Sequence, residues 1–214
     1  MSELLKRSVK YYITQGFKTI GYVGILYLIL IVEWVLLDSG TTDSLIADTF
    51  SRLIFMGGGF VILMNLMFSL YGPNWYDSLV LSMGARRRDV FLGEIIKQLV
   101  FVICNSIILM VATFFTGDMG NIKFVLVSAF IALIMGPIGI VIGYKIKTYG
   151  KVVIFVIALT VGGMAGFTTV GLLSGAIVFA YINVSQIIYI ILGVLAYIGF
   201  EYWAYKLNQK SMVK

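Results

Sequence analysis

The chain contains no histidine, one cysteine and two prolines among its 214 residues, and only 12% of those residues are charged. Each shortage closes off a chemistry. Without histidine there is no imidazole metal ligand, no Ser-His hydrolytic pair and no histidine proton relay. Intramembrane proteases and phosphatases that depend on histidine are excluded. A Ser-Lys or paired-acid enzyme is not excluded by composition, but no lysine falls at membrane depth in the spans described below. The lone Cys104 cannot form an intramolecular disulfide and is read as a small packing residue. The phosphate loop Gly-x-x-x-x-Gly-Lys-Ser/Thr is also absent, so the chain is not its own ATP motor.

What is present is apolar. The composition is 60% hydrophobic and the mean hydropathy is +1.01, more apolar surface than a soluble domain can hide. A spanning helix takes about 20 mostly apolar residues. Six stretches meet that need: Thr19–Leu37, Leu53–Tyr71, Leu99–Phe115, Ile122–Tyr144, Val152–Leu172 and Ile187–Tyr205. Threading the connections alternately places fourteen of the sixteen basic residues on one side and leaves only Arg52 and Lys123 on the other. The positive-inside rule makes the first side cytoplasmic and puts both termini there. The expected fold is therefore an all-α, multi-pass protein of the cell membrane, with residues 1–214 forming a single transmembrane domain. The net charge of +6 is a signature of loops facing anionic lipid rather than of nucleic-acid binding. No cleaved leader is expected, because the first apolar run is too long for a signal sequence and lacks a small-residue cleavage site after it.

Residues 1–18 are expected to form an amphipathic interfacial helix. Leu5, Val9, Tyr12, Ile13 and Phe17 follow helical spacing, while Lys6, Arg7, Lys10, Thr14 and Lys18 lie mainly on other faces. The acidic loop after the first span, with Asp38, Asp43 and Asp48, is read as solvated. Gly57-Gly58-Gly59 in the second span permits close helix approach, and Gly139 with Gly143, like Gly162 with Gly166, forms a small-residue face. Pro137 removes a backbone donor and should kink the fourth span. Gly171–Gln186 carries no charge, which favours a re-entrant or interfacial segment before the last span over a solvated loop.

The most specific stretch is the cytoplasmic connection Gly72–Gln98. Asn74 and Asp77 suit the cap and third position of a short helix, which Gly84 would end. Trp75, Leu79 and Met83 share one face of that helix, and Tyr76 and Val80 another. Arg86-Arg87-Arg88-Asp89 follows, and a second helix from Val90 runs into the third span. Three arginines beside a span could serve topology alone. An amphipathic, capped helix with aromatics outside the spans suits docking to another protein, since aromatics and arginine dominate interface hot spots. Trp75, Tyr76, Leu79, Arg86, Arg87 and Arg88 are the candidate docking residues.

The order of interfacial basic helix, two spans, helix-turn-helix and four more spans resembles the membrane subunit of a bacterial type-two ABC exporter, the architecture shared with ABCG-like transporters. The string Leu81-Ser82-Met83-Gly84-Ala85-Arg86-Arg87-Arg88-Asp89-Val90-Phe91-Leu92-Gly93 is similar to the turn that leads from the coupling helix into the third span in that family. The external loops are shorter than a large recognition element needs. The resemblance implies a permease subunit that exports a hydrophobic or peptide substrate. It implies no cofactor in this chain, with ATP and Mg²⁺ on a separate ATP-binding cassette ATPase subunit. It also implies a second permease copy or paralogue and contact with membrane lipids. Candidate translocation-path residues are Glu33, Asn65, Asn105 and Ser106, polar groups at membrane depth. Packing glue is the preferred reading of the last three. Glu33 stands evenly between a path contact and an acid reaching for the interface beside Trp34. Two rival classes stay open: the substrate-binding membrane component of a vitamin importer, and a non-transport protein such as a bacteriocin-immunity or assembly factor.

Overall fold

A computed structural model describes residues 3–38, 45–82, 84–118, 120–150, 152 and 186–210. Among these the architecture is all-helical. Its helices are α1 (Glu3–Asp38), α2 (Leu45–Tyr71), α3 (Asp77–Ser82), α4 (Arg87–Thr116), α5 (Gly120–Tyr149) and α6 (Gln186–Lys210), with a π-helical turn over Gly72–Tyr76 joining α2 to α3. Five helices are long and apolar enough to cross a membrane, and the chain is a multi-pass membrane protein. The expected fifth span and the uncharged segment after it fall, apart from their end residues, outside the described residues, as do Gly162 and Gly166.

Two expectations about helix boundaries are corrected. The interfacial helix over residues 1–18 is not separate from the first span; α1 runs unbroken for 36 residues. At 1.5 Å per residue that is about 54 Å, well beyond a hydrocarbon core of about 30 Å. Nothing near Lys18 breaks the helix. Thr19 bonds its hydroxyl back to the Gly16 carbonyl at 2.7 Å, satisfying its polar group within the helix. Asn74 does not cap a new helix either. The backbone at Tyr71 and at Asp77 is right-handed helical, so α2, the π turn and α3 form one continuous rod. Pro73 cannot donate a backbone hydrogen bond, and the chain widens into the π turn around it. The Asn74 side-chain amide donates instead to the carbonyls of Leu70, at 3.2 Å, and Gly143, at 3.4 Å.

The rod ends where expected. Gly84 has φ +85°, a conformation that favours glycine, and its amide donates to the Leu81 carbonyl at 3.0 Å. Helix α4 then begins at Arg87, three residues before the expected Val90. Asp89 sits in its first turn and accepts from the Arg86 amide at 3.4 Å.

Helix α2 is central, packed by α5, α4 and α1. Its glycines and those of α5 set the spacing. Gly57 faces Leu109 and Tyr27, and Gly58 faces Phe124 and Ser128. On α5, Gly139 and Gly143 lie directly on the α2 backbone; a Cβ at Gly143 would fall 2.5 Å from the Leu70 carbonyl oxygen. Tyr27, Leu53, Ile54, Val61, Phe101 and Leu109 fill the apolar core. Helix α5 continues through Pro137. The outer faces carry large apolar side chains such as Leu28, Phe55, Leu63, Ile103 and Leu195, as a surface in contact with lipid tails should.

Gly193 packs on Phe130, and Tyr144 bonds Asn208. Helices α5 and α6 are therefore parallel. Both ends of the described chain, with Lys6, Lys10, Arg86–Arg88, Lys145, Lys147, Lys206 and Lys210, lie at one end, here called the basic end.

Candidate functional site

The stretch from the π turn through α3 to the first turn of α4, called the turn segment below, lies at the basic end and carries both exposed and buried side chains. Outward, Trp75 is 72% exposed and Leu79 45%. The ring of Tyr71 meets Trp75 edge-on, with centroids 6.5 Å apart. Arg86 and Arg88 are exposed. The Ser78 and Ser82 hydroxyls bond back to the carbonyls of Trp75 and Leu79. Inward, Val80 is buried with Tyr12 and Val90. The helical spacing expected from the sequence thus separates exposed from packed side chains: Trp75 in the π turn, Leu79 in α3, Arg86 before α4 and Arg88 in its first turn are all exposed. Tyr76 lies in the π turn, its side chain outside the described set.

Arg87 behaves differently from its neighbours. It is half-buried, and its guanidinium donates to the carbonyls of Asn208, at 3.4 Å, and Gln209. Both carbonyls lie in the last described turn of α6. Arg87 therefore ties the turn to the end of α6 rather than facing outward.

Behind the turn lies a buried polar cluster that the sequence does not announce. Asp77 is 3% exposed. Its carboxylate accepts the Tyr12 hydroxyl from α1 at 3.1 Å and lies 2.9 Å from the Tyr144 hydroxyl of α5. The Tyr144 hydroxyl is also 3.0 Å from the Asn208 side-chain oxygen of α6. The Asn208 amide nitrogen in turn donates to the Arg87 carbonyl at 2.8 Å. One acid thus gathers four helices around the base of the turn. Gly93 lies against the Tyr12 ring, where any Cβ would collide with it. Beside it, Lys97 and Glu94 form a buried ion pair at 2.6 Å. Lys97 also donates to the Phe68 carbonyl at 3.4 Å and sits 5.9 Å from the centroid of the Tyr12 ring. Gly72 leaves the space that the Glu94 carboxylate occupies. Breaking such buried charged and hydrogen-bonded networks is costly because the remaining partners stay desolvated.

The path candidates do not converge. Asn65 is buried and donates to the Ala132 carbonyl at 2.7 Å, joining α2 to α5. Asn105 and Ser106 bond back to the carbonyls of Phe101 and Val102 within α4. All three make hydrogen bonds within this chain. Glu33 is exposed on α1, while the adjacent Trp34 is buried, so the two point apart. A cavity of about 220 Å³ between α1, α2 and α4 is lined by Tyr27, Leu28, Phe50, Phe115 and other apolar residues, and none of the four path candidates lines it.

Among the described residues no group of three or more His, Cys, Asp or Glu is placed to hold a metal ion. The basic end thus combines exposed aromatic and cationic side chains with a buried polar cluster that links α1, α3, α5 and α6. Tyr12, Asp77, Tyr144 and Asn208 were not singled out from the sequence as site residues. Their partners are more than sixty positions apart, so no local pattern in the sequence brings them together. No protein-family model, no curated protein and no solved structure matches this chain.

Proposed function

We propose that the chain is the transmembrane permease subunit of an ABC exporter, working with a second permease copy or paralogue and a separate ATP-binding cassette ATPase. The basic end faces the cytoplasm, and the turn bearing Trp75, Leu79, Arg86 and Arg88 is the surface that the ATPase grips. Closure of the ATPase on nucleotide moves this turn, and the rod α2–π turn–α3 carries the movement into the bundle. The observation that supports this reading most is the two-sided turn. A topology signal needs only loose cations, whereas here a Trp at 72% exposure stands on a helix anchored from behind by Asp77. The cargo is hydrophobic or a peptide, in keeping with the apolar cavity.

The test is affinity capture in mild detergent with nucleotide present. Truncating aromatic or arginine anchors at an interface centre commonly costs about 2 kcal/mol or more. Trp75→Ala with Arg88→Ala should therefore weaken recovery of an ATP-binding polypeptide at least roughly tenfold. Lys145→Ala removes the same single positive charge elsewhere and should not. Equal recovery by the two variants reduces the turn to a topology anchor. If the unmodified chain captures no ATPase under several detergents, the importer or immunity-factor reading moves ahead.

A further inference from the structure

One face of α6 packs on the bundle. Gly193 meets Phe130, and Ala204 and Asn208 are buried, at the joint where Arg87 reaches the end of the helix. Ile191, Leu195, Ile198, Tyr202 and Lys206 recur at helical spacing on the other face, and all five are exposed. From Ile191 to Tyr202 the helix rises about 16 Å at 1.5 Å per residue. One leaflet supplies about 15 Å of hydrocarbon, half of a core of about 30 Å. The apolar stripe is therefore as long as one leaflet is deep, and it ends where positive charge begins. Lys206 Nζ lies 5.1 Å from the centroid of the Tyr202 ring. Lys145, reaching across from α5, lies 5.9 Å from the centroid of the Trp203 ring and 5.4 Å from that of Tyr149. The rings hold both ammonium groups in place without cancelling their charge. Among the described residues no carboxylate pairs with either lysine.

We infer that this edge of α5 and α6 is a binding site for an anionic phospholipid of the leaflet at the basic end. The phosphate sits against Lys145 and Lys206, and one acyl chain lies along Ile198, Leu195 and Ile191. Length and charge together select this occupant. A zwitterionic lipid fits the stripe equally well but carries its own cation toward two lysines that already lack a counter-charge. A headgroup with a net negative charge supplies what they lack. A second copy of the chain fits less well. Toward the basic end Asp77, Asp89, Glu94 and Glu201 are all buried, so α3, α4 and α6 of a neighbouring copy offer these lysines no exposed carboxylate there. Tyr202 and Trp203 are the kind of side chain that settles at headgroup depth, which sets the lysines level with the lipid phosphates. The inference rests on the chain's being a membrane protein and does not depend on the transporter reading.

The experiment uses the full chain in lipid nanodiscs, with Trp34→Phe and Trp75→Phe so that Trp203 is the one tryptophan left. The probes are phosphatidylglycerol and phosphatidylcholine, each brominated near the carbonyl end of one chain and each titrated into unbrominated phosphatidylcholine. Quenching of Trp203 fluorescence reads the relative binding constant of the two lipids. Phosphatidylglycerol should be preferred about five- to thirtyfold, the range for one or both lysines acting on the headgroup. Lys145→Ala with Lys206→Ala should abolish the preference, and Lys145→Arg with Lys206→Arg should keep it. Lys6→Ala with Lys10→Ala, at exposed positions on α1, removes the same charge elsewhere and should also keep it. Equal quenching by the two lipids overturns the inference, as does a preference that survives the Lys145 and Lys206 alanine pair. Equal loss in the α1 pair overturns it too, because the preference would then belong to the overall field. No quenching by either lipid would show that protein covers the patch, and would also overturn it. Retained α-helical circular dichroism and a monodisperse elution profile show that each variant is folded. Should the alanine pair fail to fold, Lys206→Gln alone decides, and an unchanged preference there counts against the site.

Discussion

Gly143→Ala is the perturbation whose consequence the packing fixes most narrowly. A Cβ at this position would lie 2.5 Å from the Leu70 carbonyl oxygen and 3.1 Å from two ring carbons of Pro73, where ordinary contacts begin at 3.4 Å. The shortfall against Leu70 is about 0.9 Å, and the obstructing atom is backbone. No rotamer change relieves it, so α2 and α5 must part around the π turn. Parting also stretches the Asn74 bond to the Gly143 carbonyl, already 3.4 Å long. Overpacking of this kind costs about 1–3 kcal/mol. Alanine also gains roughly 1 kcal/mol over glycine in helix propensity, which would mask part of the loss. Gly199→Ala isolates that gain, because nothing lies within 4 Å of a Cβ there. The clash therefore appears as the difference between the two variants, roughly 5- to 150-fold in the unfolding constant. Unfolding in mixed micelles, titrated with SDS and followed by tryptophan fluorescence, measures both. Equal stability of Gly143→Ala and Gly199→Ala would refute the close approach of α2 and α5.

Two further predictions follow from the basic end. Arg87→Ala should lower stability by about 1–3 kcal/mol, since the α6 carbonyls lose a charged partner. Arg86→Ala, at an exposed position, should stay within about 0.5 kcal/mol of the parent in the same unfolding assay, and equal losses would place Arg87 outside the joint. Tags at the N-terminus, near Lys147 and at the C-terminus should report the cytoplasmic side, and one near Asp43 the opposite side. A protease-accessibility pattern that separates the two termini would break the proposed threading.

Five of the six expected spans, the end of the α3 rod at Gly84 and the close glycine faces of α2 and α5 were legible because each is a local property. Apolar length, a positive φ and small-residue spacing all fit within one or two turns of chain. The joins between elements were harder to read. Lys18 resembles the edge of an interfacial helix, yet with no proline or other breaker beside it the helix runs on through Thr19. Asn74 after Pro73 resembles a cap, but the π turn keeps the rod continuous and leaves the Asn74 amide for Gly143. The three arginines look equivalent in sequence. Only the approach of α6 separates Arg87 from the other two. The Asp77 cluster was the least legible, because its meaning resides in hydroxyls brought from α1 and α5 by the fold. Asn65 bonds across to α5, while Asn105 and Ser106 bond back within α4, a difference that their polar character at membrane depth does not reveal.

The central claim is that the turn bearing Trp75 is a docking surface for an ATPase, and site-specific photocrosslinking tests it most directly. A photoreactive phenylalanine analogue replaces Trp75 in cells, with the same analogue at Ile198, an exposed apolar position on α6, as the reference. Irradiation should give an adduct from position 75 that contains an ATP-binding polypeptide, strengthened by nucleotide, and no such adduct from position 198. Adducts at position 75 that contain lipid alone, or that match those from position 198, would contradict the account.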